Sequence, residues 1–145
     1  AEPRPSLRFG TVEAGIGWVP WALDAMDEAY LKHPMFVRPK LELLPSEYYR
    51  RQGFSTFQED RSGLGLAREH DLINNFMWAN DYPHHEGSWP HSAQAIERTM
   101  GHLTDAERAD ILGLNAARIF KFPIPERYPN HDDAAVAART SATRS

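Results

Sequence analysis

The chain has 145 residues, of which 41% are hydrophobic and 25% charged, with a formal net charge of -4. That is enough for one domain with a sizeable core, while scattered rather than striped Lys and Arg argue against a nucleic-acid partner. No long apolar run supports a membrane span, and the lack of cysteine excludes disulfides and thiolate metal ligands, leaving His, Asp and Glu.

In chain order, the opening Ala1-Glu2-Pro3-Arg4-Pro5 shows neither an initiator Met nor a signal-peptide pattern, so cytoplasm is the expected location. Leu7 to Ala14 reads as a first strand, broken by Gly15-Ile16-Gly17, with Glu13 at its carboxyl end. As a dinucleotide signature this G-x-G is weak, since the third glycine and a following ribose-binding acid are missing. Pro20 opens a helix whose apolar face carries Trp21, Leu23, Ala25, Met26, Ala29, Tyr30 and Leu31, until His33-Pro34 stops it.

Met35 to Leu44 reads as an excursion, and Pro45-Ser46-Glu47 starts a short helix ended by Gly53. Phe54 to Gln58 is a second strand by its aromatic and β-branched content, with Glu59 and Asp60 beyond it as turn or cap residues. A short helix is expected over Leu64 to His70, and a third strand over Ile73 to Asn80. A helix then runs from about His91 to His102 with Ala93, Ile96 and Met100 inward. Thr104-Asp105-Ala106-Glu107 has the form of a capping box, predicting a further helix that carries Ile111, Leu112, Leu114, Ala117, Ile119 and Phe120, loosened midway by Gly113. Residues 123–145 read as an extended, mobile tail after a folded portion over 1–122.

The most informative stretch is W-A-N-D-Y-P-H-H-E-G-S-W-P, residues 78–90. It puts Asp81 where the third strand gives way to a loop, the end at which parallel α/β folds gather functional groups. Asp before Tyr-Pro is also an ordinary turn opening. The density of His84, His85, Glu86 and His91, interleaved with Tyr82 and Trp89, favours a binding loop. His84-His85 lacks the i, i+4 spacing that aims two imidazoles at one metal from a helix, so the histidines alone are a weak metal motif. Strand and helix alternate three times, which predicts an α/β fold with a parallel sheet whose carboxyl end collects Glu13, Glu59 and Asp81.

Four segments carry a resemblance: residues 7–20 (L-R-F-G-T-V-E-A-G-I-G-W-V-P), 44–51 (L-P-S-E-Y-Y-R-R), 76–84 (F-M-W-A-N-D-Y-P-H) and 111–122 (I-L-G-L-N-A-A-R-I-F-K-F). Together they resemble the amidohydrolase-related metal-dependent hydrolases, in the branch of aminocarboxymuconate semialdehyde decarboxylase. The resemblance implies the C-terminal part of a (β/α)8 TIM barrel, about three βα units plus a terminal helix. It makes Asp81 a metal ligand and proton shuttle, with a divalent metal, Zn or else Mn, activating water on a small organic substrate. Glu13 falls where decarboxylase members carry a catalytic histidine, which makes it a second catalytic candidate. Trp18, His84, His85 and Trp89 would shape the substrate pocket.

The family's His-x-His and its lone histidine on the fifth strand have no counterpart in this chain. The readings in play are therefore a hydrolase, a non-oxidative decarboxylase of the same family, and a noncatalytic half-barrel. The expected partners are a small substrate and either a second copy of the chain or the N-terminal part of the barrel, with no nucleic acid and no membrane.

Overall fold

In the computed structural model, which describes residues 6–38 and 40–124, three strands form one parallel sheet in the order β1-β2-β3. The elements are β1 Phe9–Thr11, α1 Val19–Lys32, α2 Pro45–Gln52, β2 Gly53–Phe57, α3 Arg61–Ala67, a 3-10 turn Ile73–Asn75, β3 Phe76–Trp78, α4 Ser92–Met100, α5 Asp105–Ala109, a π turn Asp110–Leu114 and α6 Asn115–Phe120. Thr11 pairs with Ser55, and Phe57 with Trp78, so the carboxyl ends of all three strands open on one side. The tail expected over residues 123–145 lies outside the described residues from position 125 onward. No described helix is long and apolar enough to cross a membrane.

The α/β alternation read from the sequence is present, and its boundaries shift for physical reasons. Pro20 sits in the first turn of α1 and His33 caps its end. Of the predicted apolar face only Leu23 is buried, whereas Trp21, Met26 and Leu31 face solvent. The buried side of α1 is instead Val19, Pro20 and Leu23, of which Val19 and Leu23 join Ile16, Tyr49, Phe57, Leu64, Phe76 and Met100 in one core. The α4 face is also rotated: Ala95, Thr99 and Met100 are buried and Ala93 is exposed.

The third strand is shorter than predicted, because residues 73–75 form a 3-10 turn. Its last residue, Asn75, is buried, and its side-chain amide donates to the carbonyls of Tyr49, Arg50 and Gly53 at 3.1, 3.0 and 2.9 Å. Those carbonyls lie where α2 hands over to β2, so Asn75 ties that junction to the start of β3 and satisfies buried acceptors that would otherwise be costly.

The predicted final helix divides into α5, the π turn and α6, with Gly113 inside the π turn. One extra residue in a helical turn rotates the face that follows it. Ile111 and Asn115 point inward, whereas Leu112, Leu114 and Phe120 are exposed. The capping box itself forms: Glu107 accepts from the Thr104 N–H at 2.8 Å, and Thr104 Oγ1 accepts from the Glu107 N–H at 3.3 Å.

Arg68 adds a two-pronged ion pair to Glu107, at 2.7 and 2.6 Å, which fastens the start of α5 to the end of α3. That hydrogen bonding holds the Glu107 carboxyl at about 2, against an ordinary 4.5. A lowered folded-state value means that the contribution is complete above about pH 4.5 and is lost as pH falls through about 2. Urea unfolding of the Glu107→Gln variant should therefore show a constant stability deficit above pH 4.5 that shrinks below it. A deficit independent of pH would assign the effect to packing.

Candidate active site

The turn after β1 and the loop after β3 bring two acids and a histidine together. Glu13 stands two residues beyond β1, and its N–H donates to Thr56 Oγ1 of the neighbouring strand at 2.9 Å. Asp81 lies three residues beyond β3, followed by a tight turn in which the His84 N–H donates to the Asp81 carbonyl at 2.9 Å. Both acids adopt the left-handed backbone region, with φ of 63° at Glu13 and 56° at Asp81. Such conformations are uncommon outside glycine and gather where surrounding structure imposes them, functional sites among them.

His84 Nδ1 lies 2.9 Å from Asp81 Oδ1 and 3.6 Å from Glu13 Oε1. One ligand atom from each of Glu13, Asp81 and His84 falls within 4.8 Å of the others, the one such grouping of three among the described residues. The other Asp81 oxygen, Oδ2, is buried and has no hydrogen-bond partner among the described residues. A desolvated carboxylate oxygen left unpaired is costly, and a cation is its natural complement. Two carboxylates and one imidazole are donors that zinc or manganese accepts, so these residues fit a divalent metal.

The same acids act on the histidine. The hydrogen bond to Asp81, then the charges of Asp81 and Glu13, raise the His84 pKa and favour its protonated form. A metal ligand must be unprotonated, so a cation and that proton compete for the same negative charge.

Asp81, Glu13 and His84 are thus brought together. Of the other expected site residues, Trp89 packs edge-on against Tyr82 with ring centroids 5.1 Å apart, both rings exposed on the same loop. His85 is exposed beside His84. Trp18 is directed elsewhere: its Nε1 donates to the Ala14 carbonyl at 3.2 Å, and its ring lines an apolar cavity of about 240 Å³ with Phe9, Leu23 and Tyr49. Glu59 departs from the expected three-carboxylate cluster, because Arg98 holds it at 2.6 and 3.2 Å. It shares only the wall of a polar cavity of about 410 Å³ with Glu13, Asp60 and Glu86.

Sequence reasoning gave the metal to Asp81 alone and did not foresee that Glu13 and His84 carry potential ligand atoms beside it. The Asp-x-x-His spacing was the available signal, because a turn closed between positions 81 and 84 returns the second side chain to the first.

The sequence matches the amidohydrolase family over residues 1–122. No curated protein matches it. Similar solved structures include 5-carboxyvanillate decarboxylase of Sphingomonas paucimobilis, at 32% identity and a TM-score of 0.62, covering 75% of this chain and 33% of that one. A 2,6-dihydroxybenzoate decarboxylase from Rhizobium is 18% identical with a TM-score of 0.57, covering 74% of this chain and 33% of its own. A dihydroxybenzoic acid decarboxylase from Polaromonas, solved with manganese and 2-nitroresorcinol bound, is 19% identical with a TM-score of 0.56 and coverages of 77% and 34%. The chain thus spans about a third of the length of these neighbours and folds as part of a TIM barrel.

Proposed function

Because the chain belongs to the amidohydrolase family, we infer that it supplies part of the active site of a metal-dependent, non-oxidative decarboxylase acting on a small carboxylated ring. The observation that carries this reading is the grouping of Asp81, which has a buried, unpartnered Oδ2, with Glu13 and His84. The neighbour at 32% identity, itself a decarboxylase, supports the lyase reading beside the hydrolase that the family resemblance implies.

Asp81 and Glu13 would hold a zinc or manganese ion, with His84 completing the grouping or orienting Asp81 from Oδ1. Once bound, such an ion supplies a Lewis acid that polarises substrate oxygens. The rest falls to the chain. When the bond from ring carbon to carboxyl carbon breaks, its electron pair stays on the ring, carbon dioxide leaves, and the ring carbon takes one proton. The Asp81–His84 pair, with Oδ1 and Nδ1 2.9 Å apart, would share a proton and deliver it. Tyr82 and Trp89 offer an aromatic edge for a flat substrate, with His85 beside them. Trp18 belongs to this pocket only if the substrate extends past Ala14, on which its indole is anchored.

The test is reaction in D2O with hydroxybenzoate-type acids and added Mn2+. Decarboxylation leaves one deuterium on the ring where the carboxylate was, read as a one-unit mass gain over the protonated product. Hydrolysis of an ester or amide with no release of carbon dioxide would favour the hydrolase reading instead.

A second observation bears on assembly. Leu7, Phe9, Val12, Trp18 and Trp21 are exposed around β1, an edge strand whose outer side pairs with no strand among the described residues. This edge is where further barrel strands or a second copy of the chain would add. Light scattering of the isolated chain should then give a mass above 16.5 kDa. A stable monomer at high concentration would argue against a sticky edge.

A further inference from the structure

We propose that Asp60 is a positioning residue for Glu13, clamping the turn that carries Glu13 to the start of α3; this rests on the reading of Glu13 as a site residue. The Asp60 side chain accepts three backbone N–H groups, two of them from a segment distant in sequence. Its Oδ2 takes Ile16 and Gly17, each at 2.7 Å, and its Oδ1 takes Gly63 at 2.8 Å. The Gly63 bond is an ordinary helix cap. The other two cross 43 to 44 residues of sequence and fix the chain immediately after Glu13.

The local geometry is built for that approach. Gly15 has φ +66°, and a Cβ there would stand 3.2 Å from Asp60 Oδ2. A Cβ on Gly63 would meet the Ile16 side chain at 2.5 Å and the Gly17 nitrogen at 2.7 Å. The turn is thus pinned at Ile16 and Gly17 by Asp60 and at Glu13 by Thr56 Oγ1. Between these two anchors Glu13 is held in its left-handed conformation, facing His84.

Capping and clamping make different demands on the side chain. Asn and Ser cap helices about as well as Asp does. All three partners of Asp60 are donors, and only a carboxylate offers two acceptor oxygens. An Asn side chain would turn its NH2 toward one set of N–H groups, and Ser is too short to serve both. Asp60→Asn and Asp60→Ser should therefore keep α3 and lose the clamp.

The decisive experiment compares the parent chain, Asp60→Asn, Asp60→Ser, Glu13→Gln and the Glu13→Gln/Asp60→Asn double variant by amide hydrogen exchange and by Mn2+ titration. In both Asp60 variants, protection of the Ile16, Gly17 and Glu13 amides should fall at least tenfold with Gly63 unaffected. Mn2+ affinity should fall by about 10- to 100-fold, the range for a residue that orients a ligand. Adding Asp60→Asn to Glu13→Gln should then cost nothing further.

Retained Glu13 protection in both variants would overturn the proposal, as would an equal loss of affinity with Glu13 already replaced. A parent chain that binds no Mn2+ would count against the metal reading alone. Exchange at Glu13 would still decide whether Asp60 positions it.

Discussion

Replacing Asp81 with Asn is expected to lower Mn2+ or Zn2+ affinity by more than about a hundredfold, beyond the 10- to 100-fold that loss of an outer-sphere partner typically costs. The same change is expected to abolish activity in the metal-loaded enzyme. Asn keeps the size of Asp and an oxygen for the His84 hydrogen bond, but removes the charge from Oδ2, the buried oxygen without a partner. Asn tolerates the left-handed backbone found at position 81, with φ 56°, so the variant should fold while losing its metal site. Calorimetric titration with unchanged affinity would remove Asp81 from the site.

Phe57→Ala should cost about 3–5 kcal/mol, the usual range for truncating a buried phenylalanine. Phe57 is 2% exposed, closes β2, and packs in the core with Leu64, Phe76 and Met100. Its carbonyl accepts the Ala79 N–H at 2.9 Å, so it also braces the segment leading to Asp81. The control is Phe54→Ala in the same strand. Phe54 is half-buried and stacks edge-on against the exposed Phe120, with ring centroids 5.7 Å apart. Its loss should be clearly smaller. Equal shifts in urea midpoint for the two variants would contradict the core assignment.

The architecture was legible in the sequence because parallel strands and their helices announce themselves locally. Pro20 and Pro45 open α1 and α2, and Thr104 with Glu107 opens α5, each by an interaction within one helical turn. What was not legible depends on contacts far apart in sequence. The amide of Asn75 shortens the third strand by reaching carbonyls 22 to 26 residues away. Gly113 signalled a break in the last helix, but not that a π turn would bury Asn115, whose amide donates to the carbonyls of Ile73 and Phe76.

The candidate site divides the same way. Asp81 was readable from its position after an apolar run. His84 was discounted as a ligand by a helical spacing rule that does not apply in a turn. Asp60 was recognisable as a cap through Gly63, whereas its hold on Ile16 and Gly17 required the fold.

The central claim is that Asp81 Oδ2, Glu13 and His84 face one cation. Crystals grown with Mn2+ and measured for anomalous scattering test it most directly. The expected result is a peak within bonding distance of Asp81 Oδ2, about 2.2 Å for a carboxylate oxygen on such an ion, with Glu13 or His84 as its neighbour. A fully loaded crystal with its peaks elsewhere, and Asp81 Oδ2 bonded to protein or water, would contradict it.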